Sequence, residues 1–387
     1  MIIDIREELK GNIARIEKNF LAVALSGGVD SSVAAYLLYE GLSSHSGEGA
    51  EKRMAGASHY IWPDSRCCNT EVLDRAREVC RLLNLPYYIM DLTSLFKEKV
   101  VDDFTQTYIN GKTPNPCIRC NQWVRFKAFY NLLTERMREN GLLGDEEPLY
   151  FSTGHYVRVE NTADGAFIKR ARDNNKDQSY MLYRISKEML EYLIFPLGEY
   201  RKDEVMEIAR KLDLPSASGA ESQDACFVEG EYVDFLKNYT GRRDLSTEGD
   251  IIDTEGNVIG KHKGYIHYTI GQRRGLDLGN GPWYVTDIDP EGNRVVVGRK
   301  KDARSNRFIV EETNWFIEEH GKEFNCNVRV RYNSPEIPCT VFPIDDSSVI
   351  VRLKESTIVS PGQSAVFYHN GLVMGGGIIS RLDHDKS

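Results

Sequence analysis

The 387-residue chain lacks long apolar runs, and none approaches the roughly 18 residues that a membrane-spanning helix needs. Residues 1–8 also lack the basic-then-apolar pattern of a secretory leader. Both absences favour a cytoplasmic protein, and in that reducing environment the eight cysteines are not expected to form a disulfide framework. Unusual cysteine spacing in such a protein is instead typical of metal binding or catalysis.

Positive charge is in deficit, because 49 lysines and arginines stand against 58 aspartates and glutamates, a net charge of −9. This balance argues against a generic nucleic-acid coat, so that any nucleic-acid partner must meet a locally basic surface. Residues 261–307 provide such a surface, with ten basic against five acidic side chains. The same residues also fit an ordinary solvated basic surface.

Two kinds of pattern divide the chain, and no internal repeat is found. In the first half, short apolar runs such as residues 21–25 alternate with amphipathic helical patterns such as residues 71–84. This alternation predicts a parallel sheet with crossover helices. Beyond about residue 303, short strand patterns separated by turn residues predict a small β-barrel.

The chain length fits two or three domains. We predict a catalytic domain over residues 1–230, with part of residues 195–215 packing against the next domain. A small central domain is predicted over residues 231–302 and the barrel over residues 303–387. Residues 43–53 are polar and rich in Gly and Ser, which predicts a surface loop of unknown role.

Residues 26–32 read Ser-Gly-Gly-Val-Asp-Ser-Ser, between a predicted buried strand and a predicted helix. The two glycines let the backbone approach an anion, and the N–H groups at the start of the helix can bind phosphate. The lysine of a Walker loop is absent, and Asp30 beside phosphate points to Mg²⁺. The alternative is a Ser-capped turn with a solvated Asp30, which the strand–loop–helix context disfavours.

A second C-x-x-C motif is also missing. Cys117 and Cys120 form one such motif, and Cys226 lies far along the chain. One motif alone leaves open a redox pair, half of a zinc site or part of an iron–sulfur site. Because Arg119 and Arg125 lie near and a helix is predicted to begin here, we expect a lowered thiol pKa in this segment. Three other cysteines are expected to pack in the core, namely Cys80, Cys326 and Cys339.

Several segments together resemble the MnmA family of tRNA-specific 2-thiouridylases. They follow the family order over nearly the whole chain, which makes the combination specific although each segment alone is weak. Besides residues 26–32, the matching segments are 61–63 (Ile-Trp-Pro), 67–68 (Cys-Cys), 111–116 (Gly-Lys-Thr-Pro-Asn-Pro), 153–156 (Thr-Gly-His-Tyr), 175–180 (Asn-Lys-Asp-Gln-Ser-Tyr), 221–223 (Glu-Ser-Gln), 226–227 (Cys-Phe), 268–275 (Tyr-Thr-Ile-Gly-Gln-Arg-Arg-Gly) and 361–367 (Pro-Gly-Gln-Ser-Ala-Val-Phe).

The resemblance implies an α/β protein with an N-terminal PP-loop domain, whose Rossmann-type parallel sheet is that of the adenine nucleotide alpha hydrolases. A small central domain and a C-terminal β-barrel are implied to follow. The implied enzyme is a tRNA-uridine 2-sulfurtransferase, which uses ATP and Mg²⁺ to adenylate the 2-oxygen of wobble uridine 34 in tRNA. Sulfur then displaces AMP, leaving 2-thiouridine, AMP and pyrophosphate. The implied partners are tRNA and a sulfur donor, such as a cysteine desulfurase or a relay protein, and a monomer is expected.

The resemblance also assigns residues. It implies that Cys120 is the nucleophile, that Cys226 carries a persulfide, and that the two form a disulfide after sulfur transfer. The implied ATP-binding residues are Ala24, Leu25, Ser26, Gly27, Gly28, Val29, Asp30, Ser31 and Gly154. The implied tRNA-binding residues are Asn115, Pro116, Cys117, His155, Lys176, Asp177, Gln178, Arg331, Tyr332 and Gln363.

Two positions depart from the family pattern. Cys117 replaces the Asp of the common Asn-Pro-Asp-x-x-Cys motif, and His59 stands where a Met often faces the nucleotide. The cysteine at position 117 favours a [4Fe-4S] cluster held by Cys117, Cys120 and Cys226, and the open iron of that cluster would bind hydrosulfide. The Cys226 persulfide is the alternative route. Two other function classes stay open, a PP-loop ligase acting on a small molecule and a non-catalytic iron–sulfur or tRNA-binding module.

Overall fold

The computed structural model of the chain describes residues 5–16, 18–46, 49–63, 69–214, 225–318 and 321–380. The chain divides into two compact units. The first unit comprises Met1–Lys99, Cys117–Phe227 and Gly371–Val373, and the second comprises Val100–Pro116, Val228–Asn370 and Met374–Ser387. Within the described ranges, no helix combines the length and apolar character needed to cross a bilayer.

The helices and strands of both units are numbered along the chain. The α-helices are α1 (Glu7–Ala14), α2 (Val29–Ser46), α3 (Thr70–Leu82), α4 (Thr93–Phe96), α5 (Asp102–Ile109), α6 (Pro116–Arg119), α7 (Tyr130–Glu139), α8 (Ser179–Leu182), α9 (Lys187–Leu190), α10 (Lys202–Lys211) and α11 (Tyr232–Thr240). The strands are β1 (Phe20–Ala24), β2 (Met54–Tyr60), β3 (Tyr87–Asp91), β4 (Leu149–Ser152), β5 (Val157–Thr162), β6 (Gly165–Arg170), β7 (Leu193–Ile194), β8 (Gly249–Asp253), β9 (Val258–His262), β10 (Tyr284–Asp289), β11 (Arg294–Gly298), β12 (Ser305–Trp315), β13 (Phe324–Arg329), β14 (Ile337–Asp345), β15 (Ser348–Thr357), β16 (Ser364–His369) and β17 (Leu372–Ser380).

The first unit is built on a parallel sheet of order β3-β2-β1-β4-β7, which confirms the predicted fold class. Every residue of the central strand β1 is buried, as expected for a parallel strand covered on both faces. Helices α1, α2, α3 and α10 contribute the apolar residues of the surrounding core. Full burial of one such leucine, for example Leu37, stabilises the fold by roughly 1.5–3 kcal/mol.

Two local predictions in the first unit need correction. Residues 43–53 were expected to form a surface loop, but α2 continues to Ser46 and a 3₁₀ turn spans Ala50–Lys52, with Ala50 fully buried. The helix predicted to begin beside Cys120 contains a π-helix over Cys120–Phe129, which is followed by α7. The reason for the second difference is that periodicity reports an apolar face and not the hydrogen-bond spacing that separates the two helix types.

The second unit contains two β-structures. Strands β10, β11, β8 and β9 form one sheet in that order. Strands β12, β15, β14, β13, β16 and β17 form the other, which closes through pairing of β12 with β17. The closed six-stranded barrel confirms the predicted C-terminal architecture. The domain boundaries after residues 230 and 302 stay a prediction.

Candidate active site

The nucleotide loop, residues 26–32, joins the end of β1 to the start of α2 as predicted. Gly27 has a φ of 63°, and a Cβ placed on it would lie 2.3 Å from the Val72 carbonyl oxygen. Arg75 Nε donates to the Gly27 carbonyl oxygen over 3.1 Å. Only glycine therefore fits this position, because both the backbone conformation and the close approach to α3 exclude a side chain.

Two hydroxyl groups of the loop stabilise it from within. Ser31 Oγ accepts a hydrogen bond from Ser26 N over 3.1 Å and donates to the Gly28 carbonyl oxygen over 3.0 Å. Ser32 Oγ donates to the same carbonyl oxygen over 3.0 Å. Ser31 and Ser32 are buried, whereas Ser26 is exposed. The buried hydroxyls therefore shape the loop, and the exposed Ser26 Oγ lies 3.2 Å from Ser31 Oγ. Backbone N–H groups at the start of α2 are suited to meet an anion.

Gly154 brings the second predicted ATP-binding segment to the loop. It follows β4, the strand beside β1, and a Cβ on it would lie 2.7 Å from Ser31 N. Strands β1 and β4 flank the point where the strand order of the sheet reverses. Ligands of open parallel sheets bind in the crevice at this switch point, beyond the carboxyl ends of the strands. The structure thus joins Gly154 to residues 24–31 as one site.

Asp30 lies at the centre of a polar group that the sequence did not reveal. Its Oδ1 accepts from Tyr156 Oη over 2.8 Å, and each carboxylate oxygen lies 2.8 Å from Lys202 Nζ. The backbone N–H of Tyr156 donates a hydrogen bond to Gln178 Oε1 over 2.9 Å, which fixes the position of Tyr156. Lys202 lies outside any motif, since its only sequence feature is a place at the start of an amphipathic helix. It was missed for that reason.

Mg²⁺ is the metal ion that the nucleotide loop is expected to bind. Among the residues described, no group of three or more His, Cys, Asp or Glu side chains converges as metal ligands. Mg²⁺ in nucleotide sites commonly takes one or two carboxylates and completes its shell with phosphates and water. Asp30 fits that role as a single carboxylate ligand, provided that the nucleotide supplies the other oxygens.

The π-helix Cys120–Phe129 carries a second polar group, centred on Arg125. Arg125 Nη1 donates to Asn121 Oδ1 over 2.6 Å, and Asn121 Nδ2 donates to the Met181 carbonyl oxygen over 3.1 Å. Burial, and then the nearby Arg125 guanidinium, lower the pKa of His59 and of His155 to about 3. Both imidazoles are therefore neutral at physiological pH, where they can orient a ligand by hydrogen bonding.

The cysteines occupy three different environments in the first unit. Cys117 is exposed, Cys120 is buried and Cys226 is intermediate. Loss of water among surrounding protein atoms raises the pKa of Cys117, and the Arg125 guanidinium opposes this only in part. Although the residue as a whole is exposed, desolvation outweighs the nearby positive charge at the Cys117 thiol, so the expected lowering of its pKa is wrong. Phe227, next to Cys226, packs on Trp62 and Phe96.

All six described cysteines are free thiols, so that no disulfide joins Cys120 to Cys226 in this structure. Cys117, Cys120 and Cys226 are not gathered as a metal-binding group within the described ranges. Cys80, Cys326 and Cys339 are buried, which confirms their predicted place in the core. The Cys67–Cys68 and Glu221–Gln223 motifs lie outside the described residues.

The predicted tRNA-binding residues of the first unit largely serve local structure. Asp177 is buried and accepts from Ala171 N over 3.0 Å and from Ser179 Oγ over 2.9 Å. Lys176 is half-buried, and His155 Nδ1 lies 2.7 Å from the Thr153 hydroxyl. Since Gln178 is bonded to Tyr156, Asp177 and Gln178 chiefly shape the polypeptide around Asp30. Contact of these residues with tRNA stays a prediction.

Two predicted tRNA-binding residues of the second unit donate hydrogen bonds to backbone carbonyl groups. Gln363 Nε2 donates to the carbonyl oxygens of Thr113 and Pro114 over 3.1 and 3.0 Å. These two residues directly precede the predicted Asn115 and Pro116. Arg331 Nη2 donates to the Ile270 carbonyl oxygen over 3.1 Å, and Tyr332 follows it. Gln363 and Arg331 therefore have a positioning role, and their contact with RNA also stays a prediction.

The chain matches known families along most of its length. Residues 19–230 match the family described as the tRNA methyl transferase HUP domain. Residues 233–299 match the tRNA methyl transferase PRC-barrel domain, and residues 305–379 match the aminomethyltransferase beta-barrel domain. The first of these matches alone covers more than half of the chain.

Curated relatives and a solved structure were also compared. The tRNA-specific 2-thiouridylase MnmA 1 of Caldanaerobacter subterraneus subsp. tengcongensis is 39% identical, over 94% of this chain and 98% of its own. The tRNA-specific 2-thiouridylase MnmA of Acidithiobacillus ferrooxidans is 40% identical, over 92% of this chain and 97% of its own. The U34-tRNA thiolase NcsA from Methanococcus maripaludis with its [4Fe-4S] cluster covers 61% of this chain and 72% of its own at 18% identity. Its TM-score of 0.32 is too low to carry an argument. On the curated relatives and the family matches, the chain belongs to the MnmA family of tRNA-specific 2-thiouridylases.

Proposed function

We propose that the chain catalyses the ATP-dependent 2-thiolation of uridine 34 in tRNA. The observation that carries the proposal is the nucleotide loop at the start of α2, which Gly154 approaches at the switch point of the sheet. The same unit also holds the thiols of Cys117, Cys120 and Cys226. A phosphate-binding loop and thiols within one unit suit activation by ATP followed by sulfur transfer.

The first step is adenylation of the base. The uridine 2-oxygen attacks the α-phosphorus of ATP, the bond to the β-phosphate breaks, and its electron pair leaves with pyrophosphate while the N3 proton is released. Mg²⁺, bound with ATP, would shield the phosphate charge. Backbone N–H groups of the nucleotide loop bind the phosphates, and the neutral imidazole of His155 is suited to orient the base.

In the persulfide route, the terminal sulfur of a Cys226 persulfide attacks C2 of the adenylated uridine, and AMP leaves with the electrons of the C2–O bond. The Cys120 thiolate then attacks Cys226 Sγ. The sulfur–sulfur bond breaks, its electrons pass to the sulfur on C2, and 2-thiouridine and a Cys120–Cys226 disulfide remain. A sulfur donor must supply the persulfide, and a thiol reductant must restore the two cysteines.

The cluster route uses Cys117, Cys120 and Cys226 as ligands of a [4Fe-4S] cluster. Thiolates are the appropriate donors, but the three sulfurs do not converge in the described structure, so they do not fit a cluster as placed. No step of the mechanism therefore passes through a cluster. The two routes are distinguished by measuring the iron content of the chain and the thiolation activity of the Cys117→Asp variant.

The test of the function is thiolation by the purified chain with tRNA, ATP, Mg²⁺ and a sulfide or cysteine-desulfurase source. We expect 2-thiouridine in the digested tRNA, together with tRNA-dependent release of pyrophosphate. The Cys120→Ala and Cys226→Ala variants are expected to abolish thiolation. Pyrophosphate release with small molecules and without tRNA would instead indicate a PP-loop ligase, and no turnover would indicate a binding module.

Iron and acid-labile sulfide, measured after anaerobic purification, decide between the two sulfur routes. About four of each per chain, lost in Cys117→Ala, would support the cluster. Retained thiolation without iron in Cys117→Asp would exclude it for this chain. Cys80→Ala is the matched control, because Cys80 is a buried core thiol of the same unit and its loss is expected to leave the iron content unchanged.

The basic stretch over residues 261–307 supports tRNA as the macromolecular substrate. If these side chains neutralise tRNA phosphates, the affinity for tRNA falls steeply as the salt concentration rises. Arg273→Gln combined with Arg274→Gln is expected to weaken tRNA binding and reduce that salt dependence. The affinity for ATP alone is expected to remain unchanged.

A further inference from the structure

The nucleotide loop contains no basic side chain, although it is expected to hold a triphosphate. Pyrophosphate leaves as a multiply charged anion, and enzymes that transfer phosphoryl or adenylyl groups place cations where that charge develops. Backbone N–H groups at the start of α2 supply only partial charges. A cation from elsewhere in the chain is therefore needed beside the loop.

Lys202 is such a cation. Its Nζ lies 2.8 Å from both carboxylate oxygens of Asp30, in the first turn of α2. The side chains of Lys202 and Asp30 are 20% and 27% exposed, so that the pair lies near the surface of the site, within reach of a ligand. An ammonium group has three donors and can bind a phosphate oxygen as well as a carboxylate.

Lys202 lies on a helix whose position is fixed by packing in the core. It is the first residue of α10, and its backbone N–H donates to Asp173 Oδ2 over 3.0 Å. Val205 and Ile208 on the same helix are buried in the core that also contains the apolar face of α2. The lysine is thus held beside the start of α2 by the packing of two helices, and not by a mobile loop.

We propose that Lys202 binds the β- and γ-phosphates of ATP and stabilises the pyrophosphate as it leaves, with Asp30 positioning the ammonium group before the nucleotide binds. This inference rests on the proposed ATP-dependent function and adds a residue to the same site. The ammonium group contributes positive charge to the transition state of adenylation, and it transfers no proton in that step. The opposing interpretation is that Lys202 only neutralises Asp30.

Binding measurements test first whether Lys202 acts on the phosphate end of the nucleotide. Calorimetry compares ATP, pyrophosphate and AMP on the full chain and on Lys202→Met. We expect the affinity for ATP and pyrophosphate to fall at least tenfold while that for AMP changes less than threefold. An equal loss for all three ligands would show a general collapse of the site, and no loss for any would overturn the proposal.

Rates of tRNA-dependent pyrophosphate release provide the second test. In Lys202→Met we expect kcat to fall about 100-fold, and Lys202→Arg to regain at least tenfold of that loss because it restores the charge. Lys211→Met, at the other end of α10 and paired with exposed Glu207, is the matched control with the same change of charge. The control is expected to keep the wild-type rate.

The double variant Asp30→Asn/Lys202→Met addresses the neutralising role directly. If Lys202 served only to balance Asp30, removal of both charges would return the rate to that of Asp30→Asn alone, which would overturn the proposal. We expect a further loss instead. If the wild-type chain releases no pyrophosphate with tRNA, the proposed function fails, whereas the binding comparison of ATP with AMP still tests Lys202.

Discussion

The surroundings of Asp30 in the first unit and of Gln363 in the second unit use polar side chains in different ways. Around Asp30, the partners are other side chains, Lys202 and Tyr156, which can exchange a carboxylate for a phosphate oxygen. Around Gln363, the partners are the backbone carbonyl oxygens of Thr113 and Pro114, which must stay satisfied for the chain to keep its path. The first arrangement is suited to ligand exchange and the second to positioning.

The largest effect on activity is expected from a substitution that displaces the backbone beside Asp30. In Gly154→Ala, the added Cβ would lie 2.7 Å from Ser31 N, so that the start of α2 must shift. Displacement of reacting groups by about 1 Å can reduce rates about 100-fold, and we expect a loss of that size in tRNA-dependent pyrophosphate release. Gly11→Ala is the control, because a Cβ there meets nothing within 4 Å. A wild-type rate in Gly154→Ala would contradict the close approach.

A smaller effect on activity is expected when the hydrogen bonds of Gln363 are removed. Gln363→Leu leaves two backbone carbonyls without their donor, and an unsatisfied buried group costs about 1–3 kcal/mol. We expect thiolation to fall about tenfold, as 1.4 kcal/mol corresponds to a factor of ten, while ATP binding measured by calorimetry is unchanged.

The Gln363→Leu variant also separates positioning from direct RNA contact. A positioning role predicts a lower thiolation rate at saturating tRNA with little change in tRNA affinity. If tRNA affinity falls and the rate at saturation is retained, Gln363 contacts the RNA itself, and the contrast between the two regions would not hold. Gln106→Leu is a suitable control, since the side chain of Gln106 is exposed and donates to the neighbouring Asn110 side chain.

The pH dependence of stability probes the first unit through its half-buried histidines, His59 and His155. Because the pKa of His59 and of His155 is about 3 in the folded chain and near 6.5 in the unfolded chain, the folded state binds fewer protons. Their contribution to the free energy of unfolding is fully present above pH 6.5, and it declines as the pH falls towards 3. At pH 5 the loss is at most about 2 kcal/mol for each histidine.

Denaturant unfolding at pH 7.5 and pH 5 measures this loss. In His155→Gln we expect the difference in the free energy of unfolding between the two pH values to shrink. His369→Gln, at an exposed position at the end of β16, is the control. An unchanged pH dependence in His155→Gln would show that this imidazole is not kept neutral by the fold.

The smallest effect is expected in the barrel core. Cys326 and Cys339 face each other across β13 and β14 with their sulfurs 3.6 Å apart. The hydrogen bond with Cys339, and then burial, raise the pKa of Cys326. Cys326→Ala is expected to lower the free energy of unfolding by about 1 kcal/mol and to leave thiolation unchanged. Loss of thiolation with an intact fold would give these thiols a role that we assign to Cys120 and Cys226.

The outcome of sequence interpretation differed between the elements of the first unit. The strand–loop–helix unit around residues 26–32 was predictable, because a phosphate-binding loop is made of contiguous residues whose types report its conformation. The helix after Cys120 was predicted without its π-helical hydrogen bonding, since an apolar face looks alike in both helix types. The pKa of Cys117 was misjudged, because sequence shows nearby charges but not the water removed by packing.

The sequence by itself determined the succession of parallel sheet and barrel, the nucleotide loop and the motifs that identify the family. Periodicity and contiguous motifs are local properties of a chain, and they need no knowledge of packing. Only the tertiary structure decided that Lys202 meets Asp30 and that Arg125 acts on both His59 and His155. The physical reason is that parallel strands bring their carboxyl ends to one edge, so that residues far apart in sequence share one electrostatic environment.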